Sequence, residues 1–152
     1  MANSYSQVDI HLVFAVKYRA GQIPAEHKEE LHKYITGIVF NHDCRVLAIY
    51  AMPDHIHLLV SMHPKIAISD LVRNIKSNSS TFIKEKGWVA NFAWQEGFGA
   101  FSNSLSLRSK VATYIEHQEG YHRKKSFKEE YIEFLKLNNI EYDERYIFID
   151  PQ

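Results

Sequence analysis

The chain has 152 residues, of which 45% are hydrophobic and 24% are charged. This balance is typical of a folded domain with its own core and excludes an intrinsically disordered chain. No apolar run approaches the length that spans a bilayer, and the single cysteine, Cys44, excludes an intramolecular disulfide and a thiolate cluster for zinc. Because 18 basic residues balance 18 acidic ones, bulk positive charge cannot drive indiscriminate binding to nucleic acid.

No internal repeat, low-complexity tract or long linker divides the sequence, so residues 1–152 are predicted to form a single domain. The N-terminal residues MANSYSQVDIH show no basic stretch followed by an apolar core, which a signal peptide would have. We therefore expect a cytoplasmic protein.

The first predicted elements are a strand, a helix and a β-hairpin. Apolar residues alternate over residues 8–16, as in a strand. Pro24 suits the first turn of a helix, which runs to about Phe40 with apolar residues at helical spacing. Two β-rich runs, 44–52 and 56–62, flank a short turn that contains a proline, and this pattern predicts an antiparallel hairpin.

The second half of the chain predicts three more helices and one more strand. Ser69 is a predicted N-cap for a helix that ends near Gly87. A fourth strand covers part of residues 92–101, and two helices follow over about 107–118 and 127–138. The order β-α-β-β-α-β predicts an α+β, ferredoxin-like split βαβ sandwich with two appended C-terminal helices. With both sandwich helices on one face of the sheet, we expect the other face to be free for a ligand or partner.

The most informative short motif is Met-Pro-Asp-His-Ile-His at residues 52–57. Residues two apart in a strand point to the same face, so His55 and His57 should lie side by side. Neutral imidazole is a common ligand of divalent transition metals. Strand alternation alone also produces such pairs on a solvated sheet face, so this motif predicts a metal site only together with a second feature.

That second feature is the segment Tyr-Ile-Glu-His-Gln at residues 114–118. Tyr114 and Gln118 are four residues apart and share one face of a helix. A tyrosine hydroxyl can attack phosphorus, although its ordinary pKa of ~10 means that a metal or a cation must assist it. The amide oxygen of Gln118 can bind a metal. The other interpretation is that Tyr114 packs in the core and Gln118 lies exposed.

Together, segments along nearly the whole chain resemble the single-tyrosine HUH transposases, particularly the REP-associated tyrosine transposases and their insertion-sequence relatives. Besides the two motifs above, the resemblance rests on Val-Lys-Tyr-Arg at 16–19, Ile-Lys-Ser-Asn-Ser-Ser at 75–80, Trp-Gln-Glu-Gly-Phe-Gly-Ala-Phe-Ser at 94–102 and Ser-Phe-Lys-Glu-Glu at 126–130. Several ordered motifs at compatible spacing are far more specific than either motif alone.

The resemblance implies an enzyme that cuts and rejoins single-stranded DNA, with hairpin or palindromic ends, through a 5′-phosphotyrosine intermediate. It implies that His55, His57 and Gln118 bind a divalent metal, Mg²⁺ or Mn²⁺, and that Tyr114 is the nucleophile. It also implies a homodimer in which the tyrosine-bearing helix can complete the partner's site. Such an enzyme is expected in the cytoplasm of a bacterial or archaeal cell, associated with the nucleoid when it acts.

The remaining polar and aromatic candidates concern DNA. The basic residues that are candidates for phosphate contacts are Arg73, Lys76, Arg123, Lys124 and Lys125. The resemblance gives no metal role to His117 or His122, which we expect to contact DNA or lie exposed. Trp94, Phe98 and Phe101 could stack on bases, but their alternating positions favour a place in the core.

Two other classes of function stay open. A non-catalytic module could bind single-stranded or hairpin DNA on the same scaffold. An unrelated metal-dependent hydrolase could use the two histidines of the 52–57 motif with a third ligand. Only the transposase would form a covalent adduct with DNA.

Overall fold

The computed structural model describes residues 4–17 and 22–147 of the chain. The elements, in chain order, are β1 (Asp9–Ala15), α1 (Lys28–Asn41), β2 (Arg45–Met52), β3 (His55–Ser61), α2 (Ile68–Glu85), β4 (Gly99–Asn103), α3 (Arg108–Glu116), α4 (Gln118–His122), α5 (Phe127–Leu137) and α6 (Glu144–Ile147). Short 3₁₀ turns precede α1 and α3. No helix among these residues is long and apolar enough to cross a membrane.

The four strands form one antiparallel sheet in the order β2-β3-β1-β4. This confirms the predicted ferredoxin-like α+β fold. The hairpin of β2 and β3 turns at Pro53 and Asp54, as expected. The fourth strand begins only at Gly99, because the preceding loop turns at Gly97, whose φ is +85°.

The main core lies between the sheet and the pair α1 and α2. Alternate residues of the central strands, among them Leu12, Phe14, Ile56 and Leu58, are buried there. The predicted N-cap of α2 is wrong. The extended backbone at Ala67, with φ −77° and ψ 137°, makes Ala67 the last residue before the helix and leaves the predicted cap inside its first turn.

The second face of the sheet is not free, which corrects the prediction that it would be open. Phe127 of α5 is buried against Val13 of β1, and Ile115 of α3 is buried against Leu59 of β3. Apolar residues therefore share this face with the histidines, and their burial against other elements is favourable because it removes apolar surface from water. The appended helices supply that cover.

Polar contacts fix the appended helices to the sheet and to α1. Arg108, the first residue of α3, donates two hydrogen bonds of 2.8 Å to the buried carboxylate of Asp9 in β1. The hydrogen bond from Arg108 holds the pKa of Asp9 below its usual value. Lys28 of α1 donates to Glu119 of α4 over 3.1 Å. The single helix predicted over 107–118 is instead divided into α3 and α4, because the backbone at His117 (φ −108°, ψ 29°) is not helical.

Candidate metal centre and tyrosine site

The two histidines of β3 are buried side by side on the covered face of the sheet. His55 is 1% exposed, His57 is 0% exposed, and their ring centroids are 5.1 Å apart. The interpretation of the pair as solvated surface residues is therefore wrong. Two adjacent buried imidazoles need polar partners.

Neighbouring acceptors orient the rings so that the Nε2 atoms face one point. Asp54 Oδ1 lies 2.8 Å from His55 Nδ1. Burial alone would raise the pKa of Asp54, but the hydrogen bond with His55 brings it below its usual value, so the ionised carboxylate accepts and His55 Nδ1 donates. His57 Nδ1 lies 2.8 Å from Nε2 of the buried His11. Burial lowers the pKa of His57 well below its ordinary value, so this ring is in the neutral form that binds metals.

Gln118, at the start of α4, lies at the same point. Its side chain is fully buried, its Oε1 is 3.4 Å from His55 Nε2, and its Nε2 donates to Glu130 over 3.4 Å. The interpretation of Gln118 as an exposed helix residue is therefore wrong. The structure brings His55, His57 and Gln118 together, as the sequence predicted.

Two residues that were not predicted as metal ligands complete the cluster. Glu130 of α5 is 1% exposed, and its Oε1 is 3.1 Å from His57 Nε2 and 3.1 Å from His122 Nε2. His122, the last residue of α4, was expected to contact DNA or lie exposed, and the structure instead places its side chain in the buried cluster. One ligand atom from each of His55, His57, His122 and Glu130 lies within 4.8 Å of the others. The segment Ser-Phe-Lys-Glu-Glu, which contains Glu130, carried part of the resemblance but indicated no metal role.

This donor set fits a divalent metal ion. Two N or O ligands at ~2.0–2.2 Å from one ion lie roughly 3.0–3.4 Å apart at tetrahedral or octahedral angles. The 3.1 Å separations of Glu130 Oε1 from two imidazole nitrogens match that range. Burial raises the pKa of Glu130 to about 8, yet a single proton on Glu130 could satisfy only one of the two rings. A mixed imidazole and oxygen set suits Mn²⁺ and related ions.

Tyr114 of α3 lies beside this cluster. Its ring centroid is 5.9 Å from that of His57 and 6.3 Å from that of His11. Tyr114 is half-buried and lines a cleft of about 350 Å³ that Glu130, Lys110 and Tyr121 also line. Tyr114 is thus at the rim of the site and not sealed in the core.

The basic candidates for DNA contacts lie on two surfaces. Arg73 and Lys76 belong to α2, on the opposite side of the sheet from the histidine cluster. Arg73 pairs with Asp70 over 3.0 Å, and Lys76 donates to the carbonyl oxygens of Gln95 and Gly97 over 2.7 and 2.6 Å. Burial lowers the pKa of Lys76 to about 8. Arg73 and Lys76 therefore already have hydrogen-bond or ion-pair partners within the protein.

The second basic surface is next to the cluster. Arg123 and Lys124 directly follow His122 and are exposed, whereas Lys125 forms an ion pair with Glu133. This surface borders the cleft that contains Tyr114, since Glu133 also lines that cleft.

The aromatic candidates and His117 differ in their burial. Trp94 and Phe101 are buried, which confirms their predicted place in the core, while Phe98 is 37% exposed. His117 is exposed at the break between α3 and α4.

Two solved structures that share this fold are described as transposases. A candidate transposase from Deinococcus radiodurans R1 is similar over 76% of this chain and 94% of its own, with a TM-score of 0.58 and 25% identity. A REP-associated tyrosine transposase, solved bound to a REP hairpin, shares the fold over 79% of this chain and 72% of its own, with a TM-score of 0.59 and 16% identity. The fold and these neighbours define the class: transposases built on a ferredoxin-like sheet.

Sequence comparison gives the family. The model of the IS200-like transposases matches residues 4–118. The ISDra2 transposase TnpA of Deinococcus radiodurans is 32% identical over 119 residues, which are 74% of this chain and 84% of that protein. The transposase of insertion sequence IS200 from Salmonella typhimurium is 26% identical over 114 residues, 71% of this chain and 74% of that protein. The chain belongs to the IS200-like transposase family.

Proposed function

We propose that this transposase is an HUH-type, metal-dependent enzyme that cuts and rejoins single-stranded DNA through a 5′-phosphotyrosine link on Tyr114. Membership of the IS200-like family implies DNA strand transfer. The observation that carries the proposed tyrosine chemistry is a cleft that Tyr114 and Glu130 both line. The Tyr114 ring also lies 5.9 Å from the His57 ring between centroids. Of the cluster residues, Glu130 lines this cleft, so the nucleophile lies beside the buried metal-binding set. These are the two parts that this chemistry needs.

The reaction is a pair of transesterifications. The Tyr114 hydroxyl loses its proton and attacks the scissile phosphorus, so a phosphotyrosine bond forms and the P–O3′ bond breaks. The 3′ oxygen takes up a proton and leaves as a free 3′-OH. In the second step another 3′-OH attacks the same phosphorus and releases Tyr114 as a phenol. Each step exchanges one phosphate ester for another, so rejoining needs no ATP.

The predicted ligands His55, His57 and Gln118 would hold the metal. When bound, Mg²⁺ or Mn²⁺ would polarise the scissile phosphate and stabilise its developing negative charge. The protein's own contribution is orientation. Asp54 fixes the His55 ring over 2.8 Å, and His11 fixes the His57 ring over 2.8 Å. Such partners are important for metal affinity and activity.

The substrate is single-stranded DNA with hairpin or palindromic ends. The solved REP-associated relative with this fold is bound to a REP hairpin. In this chain, the exposed Arg123 and Lys124 next to the cluster are well suited to contact phosphates. Because the chain has no net charge, we expect weak, salt-sensitive binding that depends on this local surface.

We also propose the homodimer that the resemblance implies. One chain by itself contains Tyr114 and all the cluster residues within reach of one another. The role of the proposed dimer would therefore lie in DNA architecture or in exchange of α3 between subunits, and not in supplying a missing type of residue.

The test is the covalent adduct. Labelled hairpin DNA is incubated with the protein and Mn²⁺ or Mg²⁺, and a denaturing gel is used to detect a protein–DNA band. We expect the Tyr114→Phe variant to form no adduct, because the ring and its packing remain but the attacking oxygen is gone. Mass spectrometry of the wild-type adduct should identify Tyr114 as the linked residue.

Tyr121 provides the matched control. Its ring lies 5.1 Å from that of Tyr114 between centroids and it lines the same cleft, but burial raises its pKa above the ordinary value. The Tyr121→Phe variant should keep the adduct. An adduct that survives in Tyr114→Phe and vanishes in Tyr121→Phe would move the nucleophile to Tyr121. A wild-type protein that binds its native hairpin and never forms an adduct would instead be a DNA-binding module.

A further inference from the structure

A buried carboxylate in α5 is the most unusual feature of the cluster. Glu130 is 1% exposed, and its ion-pair partners among the described residues are the three imidazoles of His55, His57 and His122. Gln118 donates a further hydrogen bond over 3.4 Å. A buried carboxylate costs free energy unless a cation or several donors compensate it.

The hydrogen bonds of the neighbouring rings show which ring nitrogens face Glu130. His122 Nδ1 lies 2.8 Å from the carbonyl oxygen of Lys125, and a carbonyl can only accept, so this nitrogen donates. His55 Nδ1 donates to the carboxylate of Asp54 in the same way. With Nδ1 engaged in these bonds, Nε2 is the ring nitrogen of each residue that remains to face the Glu130 carboxylate. A cation at this point would satisfy all of these acceptors together.

The distances agree with a common ion. Glu130 Oε1 is 3.1 Å from His57 Nε2, 3.1 Å from His122 Nε2 and 3.9 Å from His55 Nε2. Ligands that share one ion at ~2.1 Å lie roughly 3.0–3.4 Å apart, and farther apart when their angle at the ion is wider. We propose that Glu130 and His122 are themselves ligands of the divalent metal, together with His55 and His57. This inference rests on the proposed function, because it adds ligands to the same metal site.

These added ligands lie outside the part of the chain that matches the family model, which ends at residue 118. Helix α5 is firmly placed to present Glu130. A capping box of Ser126 and Glu129 begins the helix, and the Phe127 ring stacks on His55 at 3.8 Å between centroids with an interplanar angle of 4°. The segment that follows the tyrosine helix thus completes the metal centre and adds a carboxylate and a third imidazole to the predicted His-His-Gln set.

The test measures metal binding without DNA or turnover. Mn²⁺ is titrated into the full-length wild type and into Glu130→Gln, His122→Leu and His57→Ala, with calorimetry and the decrease of the free-ion EPR signal as readouts. Loss of a residue that only orients a ligand already weakens affinity about 10- to 100-fold. We therefore expect Glu130→Gln to weaken Mn²⁺ binding at least ~10-fold. His122→Leu should also weaken it, and the Co²⁺ visible spectrum should change in both variants.

Glu85→Gln is the control, because it removes one carboxylate charge at an exposed position of α2, on the opposite side of the sheet from the cluster. It should bind Mn²⁺ like the wild type. Far-UV circular dichroism in EDTA checks that each variant is folded, and Glu130→Gln should be folded because it removes a buried charge.

The outcomes separate this inference from the function on which it rests. If His57→Ala loses Mn²⁺ and Glu130→Gln binds it as the wild type does, Glu130 is not a ligand and the inference fails, while the proposed metal site stands. If Glu85→Gln loses as much affinity as Glu130→Gln, the effect is one of general charge and the inference also fails. If the wild type binds no divalent ion, the inference and the metal-dependent function fail together.

Discussion

Replacement of Phe127 by alanine tests whether α5 is an integral part of the site. Phe127 is 5% exposed and is buried with Val13, Ala15 and Phe101 of the sheet. It also stacks on His55. If α5 packs as described, removal of this ring should destabilise the protein and loosen the cover of the metal centre.

The magnitude follows from burial and from the space left behind. Transfer of a fully buried Phe side chain from water contributes about 1.5–3 kcal/mol. The cavity adds roughly 24 cal/mol per Å³, so an unfilled remainder of some tens of Å³ costs about 1–2 kcal/mol more. The expected loss in the free energy of unfolding is therefore about 2.5–5 kcal/mol, which agrees with the range of about 3–5 kcal/mol that is usual for Phe→Ala in a core.

The assay is urea unfolding followed by circular dichroism, with the metal removed by EDTA so that only packing is measured. Phe40→Ala is the control, since Phe40 lies in α1 and is 72% exposed. Exposed substitutions usually change stability by less than about 0.5 kcal/mol. If Phe127→Ala and Phe40→Ala have equal effects, α5 does not pack on the sheet and the reasoning is refuted. A lower m-value in Phe127→Ala would indicate that α5 detaches before the rest unfolds.

The remaining predictions concern the attachment of α3 and the assembly. Asp9→Asn should lower the free energy of unfolding at neutral pH, because the hydrogen bond from Arg108 holds the Asp9 pKa below 3.8 in the folded protein. A carboxyl with a lowered folded-state pKa contributes stability above its ordinary pKa and loses it as the pH falls through the folded value. The difference between wild type and Asp9→Asn in urea unfolding should therefore narrow below about pH 4, and a constant difference would contradict this origin. Sedimentation at micromolar concentration should give twice the chain mass, and a monomer with full cleavage activity would disprove the dimer.

Features that repeat within one element could be predicted from the sequence. Strand alternation correctly placed His55 and His57 on one face. The single helix expected to carry Tyr114 and Gln118 on one face is instead divided at His117, although both residues lie near the cluster. The order of the elements was enough for the ferredoxin-like fold. Local turn chemistry was a weaker guide at the ends of elements, since α2 begins one residue before the predicted cap Ser69.

The residues that close the site could not be predicted from the sequence, because tertiary packing brings them together. Glu130 meets His57 across 73 positions of sequence, and Gln118 meets His55 across 63. No periodic pattern links such positions, because their proximity depends on how the appended helices cross the sheet and on which apolar face they bury. The same packing covered the sheet face that was expected to be open. This packing also brings His122 and Glu130, which were not predicted as metal ligands, next to His55 and His57. A short contact between residues far apart in sequence depends on how whole helices and strands pack.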